Sequence, residues 1–233
     1  MQNIVIGLEG LVGSGKTSIC RELLNIIPNS IVFHGGNLYR GIVYALIKNS
    51  EGISFEELKN NTKNVDIKEL MDKLQVEFKV ENNETVVYIK GEKIDEEKLQ
   101  SESSSMAVSI AGGSADNSKL FIFCRDFINK CKEKYNVILS GRSLMEIYPE
   151  LDYHFFIVAD IDERVKRKAN QYGNDVDILE LKNHIELRDK LQEEAGFYKI
   201  YPNTIEIDVT DCKNVRESTE KLCNYINELK VTM

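Results

Sequence analysis

Along most of the chain, short apolar runs alternate with longer stretches in which apolar positions recur every three or four residues. Ile4 to Leu8 is an apolar run of strand length, and Lys16 to Ile27 has helical period until Pro28-Asn29-Ser30 stops it. Ile31-Val32-Phe33 is a second apolar run; His34-Gly35-Gly36 turns the chain, and Asn37 is placed to cap a helix reaching about Lys48. After residue 109 the pattern resumes. Lys119 to Lys134 is helical in period, Asn136 to Ser140 is a strand ending at Gly141-Arg142, and Phe155 to Ala159 is another strand. Asp162 to Gln171 reads as a basic helix broken near Gly173, and Asp177 to Glu193 as a helix ended near Gly196. Thr204 to Val209 is the last strand. Asp211 is expected to cap a final helix on which Val215, Leu222, Ile226 and Leu229 share one face.

The stretch from about Ser50 to Ser109 differs, being dominated by lysine, glutamate and asparagine. Val76 to Val80 and Thr85 to Ile89 alternate apolar and polar positions across the turn-rich Glu81-Asn82-Asn83-Glu84. That pattern predicts a β-hairpin with one solvated face, a small antiparallel insert distinct from the buried parallel sheet. Elsewhere, apolar strands alternating with amphipathic helices predict an α/β fold, a five-stranded parallel sheet flanked by helices.

Candidate chemistry enters with the break after the first strand. Gly10-Leu11-Val12-Gly13-Ser14-Gly15-Lys16-Thr17, followed by Ser18, is a phosphate-binding P-loop. Its glycines let backbone N–H groups wrap a phosphate, and the helix opening near Lys16 aims its positive end at the same point. Lys16 is expected at the β- and γ-phosphates of ATP, with the Thr17 hydroxyl as a Mg²⁺ ligand. A chance match has odds on the order of 1% in a chain of this length, and a strand before with a helix after lowers them further.

The 233 residues, 42% apolar and 29% charged, suit a folded domain with an insertion. The net charge of −8 argues against free nucleic acid as partner, and no run approaches a membrane span. Cys20, Cys124, Cys131, Cys212 and Cys223 are odd in number with no Cys-x-x-Cys spacing, which reads as free thiols. With neither signal-peptide features nor a span, the expectation is a cytoplasmic protein; a monomer is expected, with no sequence feature that sets the oligomeric state.

A phosphoryl donor and acceptor bring two polyanions together, so such a site needs converging cations. Arg40 follows the turn after the second strand, Arg142 stands just past a strand's C-terminal end, and Arg188 lies in the helix after Gly173. The run Arg164, Lys166, Arg167, Lys168 has two readings, a solvated helix face or a lid closing over ATP.

Taken together these residues resemble the bacterial cytidylate kinases and the wider cytidylate-kinase-like nucleoside monophosphate kinases, over most of the chain. Ile6 to Gly10 is similar to that family's opening strand, with Glu9 where aspartate is common. His34-Gly35-Gly36-Asn37-Leu38-Tyr39-Arg40 is similar to its loop ending in Tyr-Arg. Tyr88 to Ile94 followed by Ser101 to Ser109 resembles its inserted nucleoside-binding subdomain. Ile138 to Ser143 resembles its Asp-Gly-Arg-Asp strand end, Phe155 to Ala159 with Asp162-Glu163-Arg164 the strand entering its lid, and Glu186-Leu187-Arg188-Asp189 its lid Arg-Asp.

The resemblance implies a P-loop kinase core at 1–55 and 110–233, a helical lid at about 165–195, and a small inserted α+β nucleoside-monophosphate-binding subdomain at 56–109. It implies ATP and Mg²⁺ as cofactors and transfer of the γ-phosphate to a nucleoside monophosphate, CMP or dCMP. It implies catalytic roles for Lys16, Arg142 and Arg188, acceptor contacts from Arg40, Ser101, Arg142 and Arg188, and Arg164 near the donor nucleotide. The chain departs from the pattern at Ser140 and Ser143, both aspartates in the motif, at His34 and Gly35, and at Gln192 and Ala195, where Asp and Arg are expected. Glu9 is the carboxylate left at the strand end, open to a role beside the metal or to pairing with Lys16. The alternatives are a related kinase with another small acceptor, such as shikimate, or a nucleotide-binding module without catalysis.

Overall fold

The computed structural model describes residues 3–49, 54–63, 65–99, 107–109, 111, 115–172 and 176–226. Five parallel strands form the centre, in the order β2 (Ser30–His34), β6 (Asn136–Ser140), β1 (Val5–Gly10), β7 (Tyr153–Val158), β8 (Thr204–Asp208). The five apolar runs of the sequence are these five strands.

Residue alternation along each strand assigns its side chains to two faces. Val5, Ile31, Phe33, Val137 and Leu139 pack on one face beneath α2 (Gly35–Asn49), α4 (Ile67–Lys73) and α6 (Ser118–Lys132). Ile6, Leu8, Val32, Ile138, Phe155 and Ile157 pack on the other against α1 (Lys16–Ile26) and α10 (Val215–Cys223). Burying both faces is what makes these strands read as continuous apolar runs.

The hairpin predicted in the insert forms as β3 (Val76–Glu81) and β4 (Glu84–Ile89), with a two-residue β5 (Glu92–Lys93) beside it. It is not set apart from the parallel sheet. Val32 N–H donates to Asn83 O at 2.8 Å, and β4 continues the sheet past β2 through Val32 and Glu84. Side chains reinforce the junction: Glu84 accepts from Arg21 Nε at 3.0 Å and lies 2.8 Å from His34 Nε2. The His34 hydrogen bond, with Arg21 adding to it, holds the Glu84 carboxyl down at about 2.

Several boundaries move. Helix α2 starts at Gly35, directly on the strand, so Asn37 lies inside the first turn instead of capping it; its Oδ1 accepts from Arg40 Nη1 at 3.1 Å. The last helix is capped by Asn214, whose Oδ1 accepts Glu217 N–H at 3.0 Å, and not by Asp211. The α3 (Phe55–Thr62), α4, α5 (Glu96–Leu99) and α7 (Leu144–Ile147) helices have no counterpart in the reading of periodicity, because segments of four to eight residues span too few turns to show one. The basic helix is α8 (Ile161–Tyr172), and the next is α9 (Ile178–Glu194), with Asp177 as its N-cap and not its first residue. Leu229 and Gly173 lie outside the described residues. Every cysteine is a free thiol, and among the described residues no helix is long and apolar enough to cross a membrane.

Candidate active site at the C-terminal strand ends

Three strand ends meet at one place: β1 runs into the P-loop, β2 into His34-Gly35, and β6 into Gly141-Arg142. Open α/β sheets bind ligands at such carboxyl ends. A cavity of about 590 Å³ opens there.

The P-loop starts in a conformation that only glycine holds. Gly10 has φ +142°, and a Cβ at this position would lie 2.1 Å from Ile157 O of the neighbouring strand. The loop closes around Lys16, whose Nζ donates to Gly10 O at 2.8 Å and Leu11 O at 2.7 Å, and stands 3.4 Å from Ser14 Oγ. Burial, with Arg142 adding to it, pulls the Lys16 ammonium well below its usual range. Gly13, Ser14, Gly15, Thr17 and Ser18 line the cavity behind it.

Val12 is clamped from outside. Its side chain is buried in an apolar cluster with Val165 of α8 and Leu181 and Ile185 of α9. Its N–H donates to Asp189 Oδ1 at 3.0 Å, and its carbonyl accepts from Arg164 Nη1 at 3.0 Å. Arg164 Nη1 also pairs with Asp189 Oδ2. Arg164 is therefore buried behind the loop, 6% exposed, and is not among the residues lining the cavity. Its neighbour Arg167 does line the cavity, donating to Ser14 O at 3.3 Å and Val209 O at 2.7 Å. The basic run is thus no uniformly solvated face. Arg164, Arg167 and Lys168 turn toward the loop, while Lys166 remains largely exposed.

Arg40, Arg142 and Arg188, drawn from α2, the β6 end and α9, line the same cavity. Nε of Arg40 and Nε of Arg188 are buried with no hydrogen-bond partner among the described residues. Burial, with Arg188 and Arg142 adding to it, brings Arg40 down to about 10, and burial likewise lowers Arg188. Lys168, which the sequence left within a charge run, joins them; burial and the nearby Arg188 and Arg40 bring it down to about 8. Among the described residues Glu163 is the acidic side chain lining the cavity, and its carboxylate is engaged by Arg167 at 3.0 Å and Lys166 at 3.2 Å. Folding has gathered cations that repel one another, an arrangement that a polyanion relieves.

Of the departures from the family pattern, His34, Ser140 and Gln192 line the cavity. Gln192 is buried; its Oε1 accepts from Arg142 Nε at 2.6 Å, and its Nε2 donates to Ser109 Oγ at 3.3 Å. Ser140 lines the cavity beside Arg142, and Ser143 turns the chain at φ 52°. Glu9 does not pair with Lys16. It is buried, 2% exposed, accepts Leu144 N–H at 2.6 Å and lies 3.4 Å from His154 Nε2, so it supports the turn carrying Arg142. Ser101 lies outside the described residues, so its expected acceptor contact has no geometry.

Periodicity and motif spacing missed Asp189 as the P-loop clamp and the part of the cavity lined by Cys212, Lys213, Asn214 and Val215. Asn214 carries one legible signal, a cap three residues before Glu217. Asp189 is marked only by the resemblance of Glu186-Leu187-Arg188-Asp189 to the family's lid Arg-Asp, which does not place it against the P-loop.

A model of the family described as Cytidylate kinase matches residues 6–228. The cytidylate kinase of Clostridioides difficile (strain 630) is 27% identical over 97% of this chain and 100% of its own length. That of Halalkalibacterium halodurans is 22% identical over 98% of this chain and 99% of its own. Among solved structures, a protein from Eubacterium ventriosum ATCC 27560 aligns over 97% of this chain and 99% of its own at 17% identity, with a TM-score of 0.48, a distant likeness. With the P-loop, the converging arginines and a family match that runs nearly end to end, the chain belongs to the cytidylate kinase family and is a phosphotransferase.

Proposed function

We propose that this chain transfers the γ-phosphoryl group of ATP to CMP or dCMP. The observation that carries the reading is the cavity itself: a P-loop on one wall and, on the others, Arg40, Arg142 and Arg188, two of them with a buried Nε that has no hydrogen-bond partner among the described residues. One triphosphate needs the first wall. The second set of cations fits a further phosphate, which a monophosphate acceptor brings and shikimate does not.

The chemistry asked of the chain is positioning and charge stabilisation. Gly10 to Ser18 bind the donor phosphates. Lys16 exchanges the carbonyls of Gly10 and Leu11 for phosphate oxygens and follows the transferring group. Arg142 and Arg188 neutralise charge between donor and acceptor, and Arg40 holds the acceptor phosphate. Arg164 serves the donor indirectly by shaping Val12. The unit at 56–109 forms the acceptor side, and α8 with α9 acts as a lid that keeps water from the reacting phosphate. Thr17, next to Lys16 in the chain and lining the cavity, suits Mg²⁺ when the phosphates and water complete the shell, since Glu9 is committed elsewhere. Mg²⁺ supplies charge neutralisation of the phosphates when bound.

The test is ADP release with ATP and a panel of CMP, dCMP, UMP, AMP and shikimate. Turnover on CMP or dCMP well above the rest supports the reading. Turnover on shikimate alone transfers the site to another acceptor, and ATP binding by calorimetry without turnover on any acceptor makes the chain a nucleotide-binding module.

A further inference from the structure

Tyr198 carries no motif, yet it sits where the two halves of the site touch. Helix α9 ends in a Schellman turn: Gly196, at φ +73°, donates its N–H to Glu193 O at 2.9 Å, and Phe197 N–H reaches Gln192 O at 2.9 Å. A left-handed residue is needed to close a helix this way, and glycine takes it without strain. The turn sends the chain back beneath the cavity, where the Phe156 ring meets Tyr198 edge-on at 5.7 Å and 81°.

Besides Phe156, the Tyr198 side chain meets Arg142 and Asp189. Arg142 Cζ stands 5.4 Å from the centroid of its ring. Gln192 Oε1 holds Arg142 Nε at 2.6 Å and Gly141 O holds Nη1 at 3.0 Å, so the aromatic face completes the seating of the guanidinium. The hydroxyl, which also faces Arg142, donates to Asp189 Oδ1 at 2.6 Å. That same oxygen accepts Val12 N–H of the P-loop at 3.0 Å. Burial pushes the phenol up from its ordinary value, so it remains a donor at neutral pH.

We infer that Tyr198 is a positioning residue that ties the acceptor-side guanidinium of Arg142 to the donor-side P-loop, its ring setting the first and its hydroxyl, through Asp189, the second. The inference rests on the proposed reading of Arg142 as a phosphate-binding group. It makes the turn after α9 the place where closing the lid helix and assembling the two phosphate sites become one event.

The test uses the full chain with Tyr198→Phe and Tyr198→Leu, each shown by thermal unfolding to be folded. Tyr198→Phe keeps the ring, so kcat and the KM for CMP stay within about threefold, while ATP affinity by calorimetry falls about fivefold or more, as loss of one buried hydrogen bond to a carboxylate implies. Tyr198→Leu loses the same ATP affinity and, in addition, about tenfold in kcat. In an Asp189→Asn background, Tyr198→Phe has little further effect on ATP affinity. The inference is overturned if Tyr198→Phe binds ATP as the natural chain does, or if Tyr198→Leu loses no more kcat than Tyr198→Phe. Should the natural chain turn over no acceptor, the proposed function fails by itself; ATP affinity still decides the hydroxyl arm, and acceptor-free ATP hydrolysis replaces kcat for the ring arm.

Discussion

At the scale of residues the site is a problem of like charges held close together. Arg142 is oriented by Gln192, Gly141 and Tyr198 before any ligand arrives, which is what makes a charged donor effective in a transition state. Arg142→Ala is expected to cost ~2.7 kcal/mol or more of transition-state stabilisation, read as a loss of about a hundredfold in kcat; a change within twofold would return Arg142 to a surface charge. Lys168 gives a prediction in pH. Burial, Arg188 and Arg40 bring it from 10.5 to about 8, so the folded chain disfavours its protonated form. The sign follows: the unliganded fold gains stability as pH rises from about 8 toward 10.5, while affinity for the anionic substrates, which favour protonated Lys168, falls over the same window. Calorimetry at pH 7 and pH 9 measures that fall, and Lys168→Met should flatten it. The P-loop residues were legible in the sequence because their spacing has one purpose. Lys168 was legible only as one charge in a run, because spacing along a helix does not say which face meets the rest of the protein.

At the scale of elements, α8 and α9 both grip the P-loop at Val12, and α8 reaches Ser14 as well through Arg167. Val12 is bound by its side chain in an apolar cluster and by its backbone at Asp189 and Arg164. Removing the carboxylate leaves the buried Arg164 charge without its ion partner. Asp189→Ala is therefore expected to destabilise the chain by ~3 kcal/mol and to weaken ATP binding. Asp189→Asn, which keeps the shape and one acceptor, should lose less of both; equal losses in the two variants would refute the charge argument. The element boundaries show a related limit of sequence. Gly196 announced the end of α9 because its role is local, whereas Asn37 was misread as a cap because α2 begins directly on β2. The insert's hairpin was visible in its alternation. Its junction with β2 was not, since pairing of Val32 with Glu84 joins residues far apart in sequence.

At the scale of the whole molecule, ligands that bind the folded chain should stabilise it. ATP with Mg²⁺ at a hundred times its dissociation constant adds ~2.7 kcal/mol, or roughly 5–10 °C in Tm for a chain of this size. Chelating the metal should remove part of that shift; no shift with ATP under any condition would count against the P-loop assignment. The sequence by itself determined the five parallel strands, the P-loop and the presence of arginines suited to phosphate. These are local signals, written in the period of apolar residues and in a motif whose residues must be consecutive to work. Only the tertiary structure decided where each cation points: Arg164 behind the loop, Arg167 and Lys168 into the cavity, Glu9 toward Leu144 and not Lys16. Those choices depend on which helix packs against which strand end, and helices α8 and α9 come to Val12 from more than a hundred residues away in the chain. Tyr198 joins its partners in the same way, through a turn that the sequence marks and a contact that it does not.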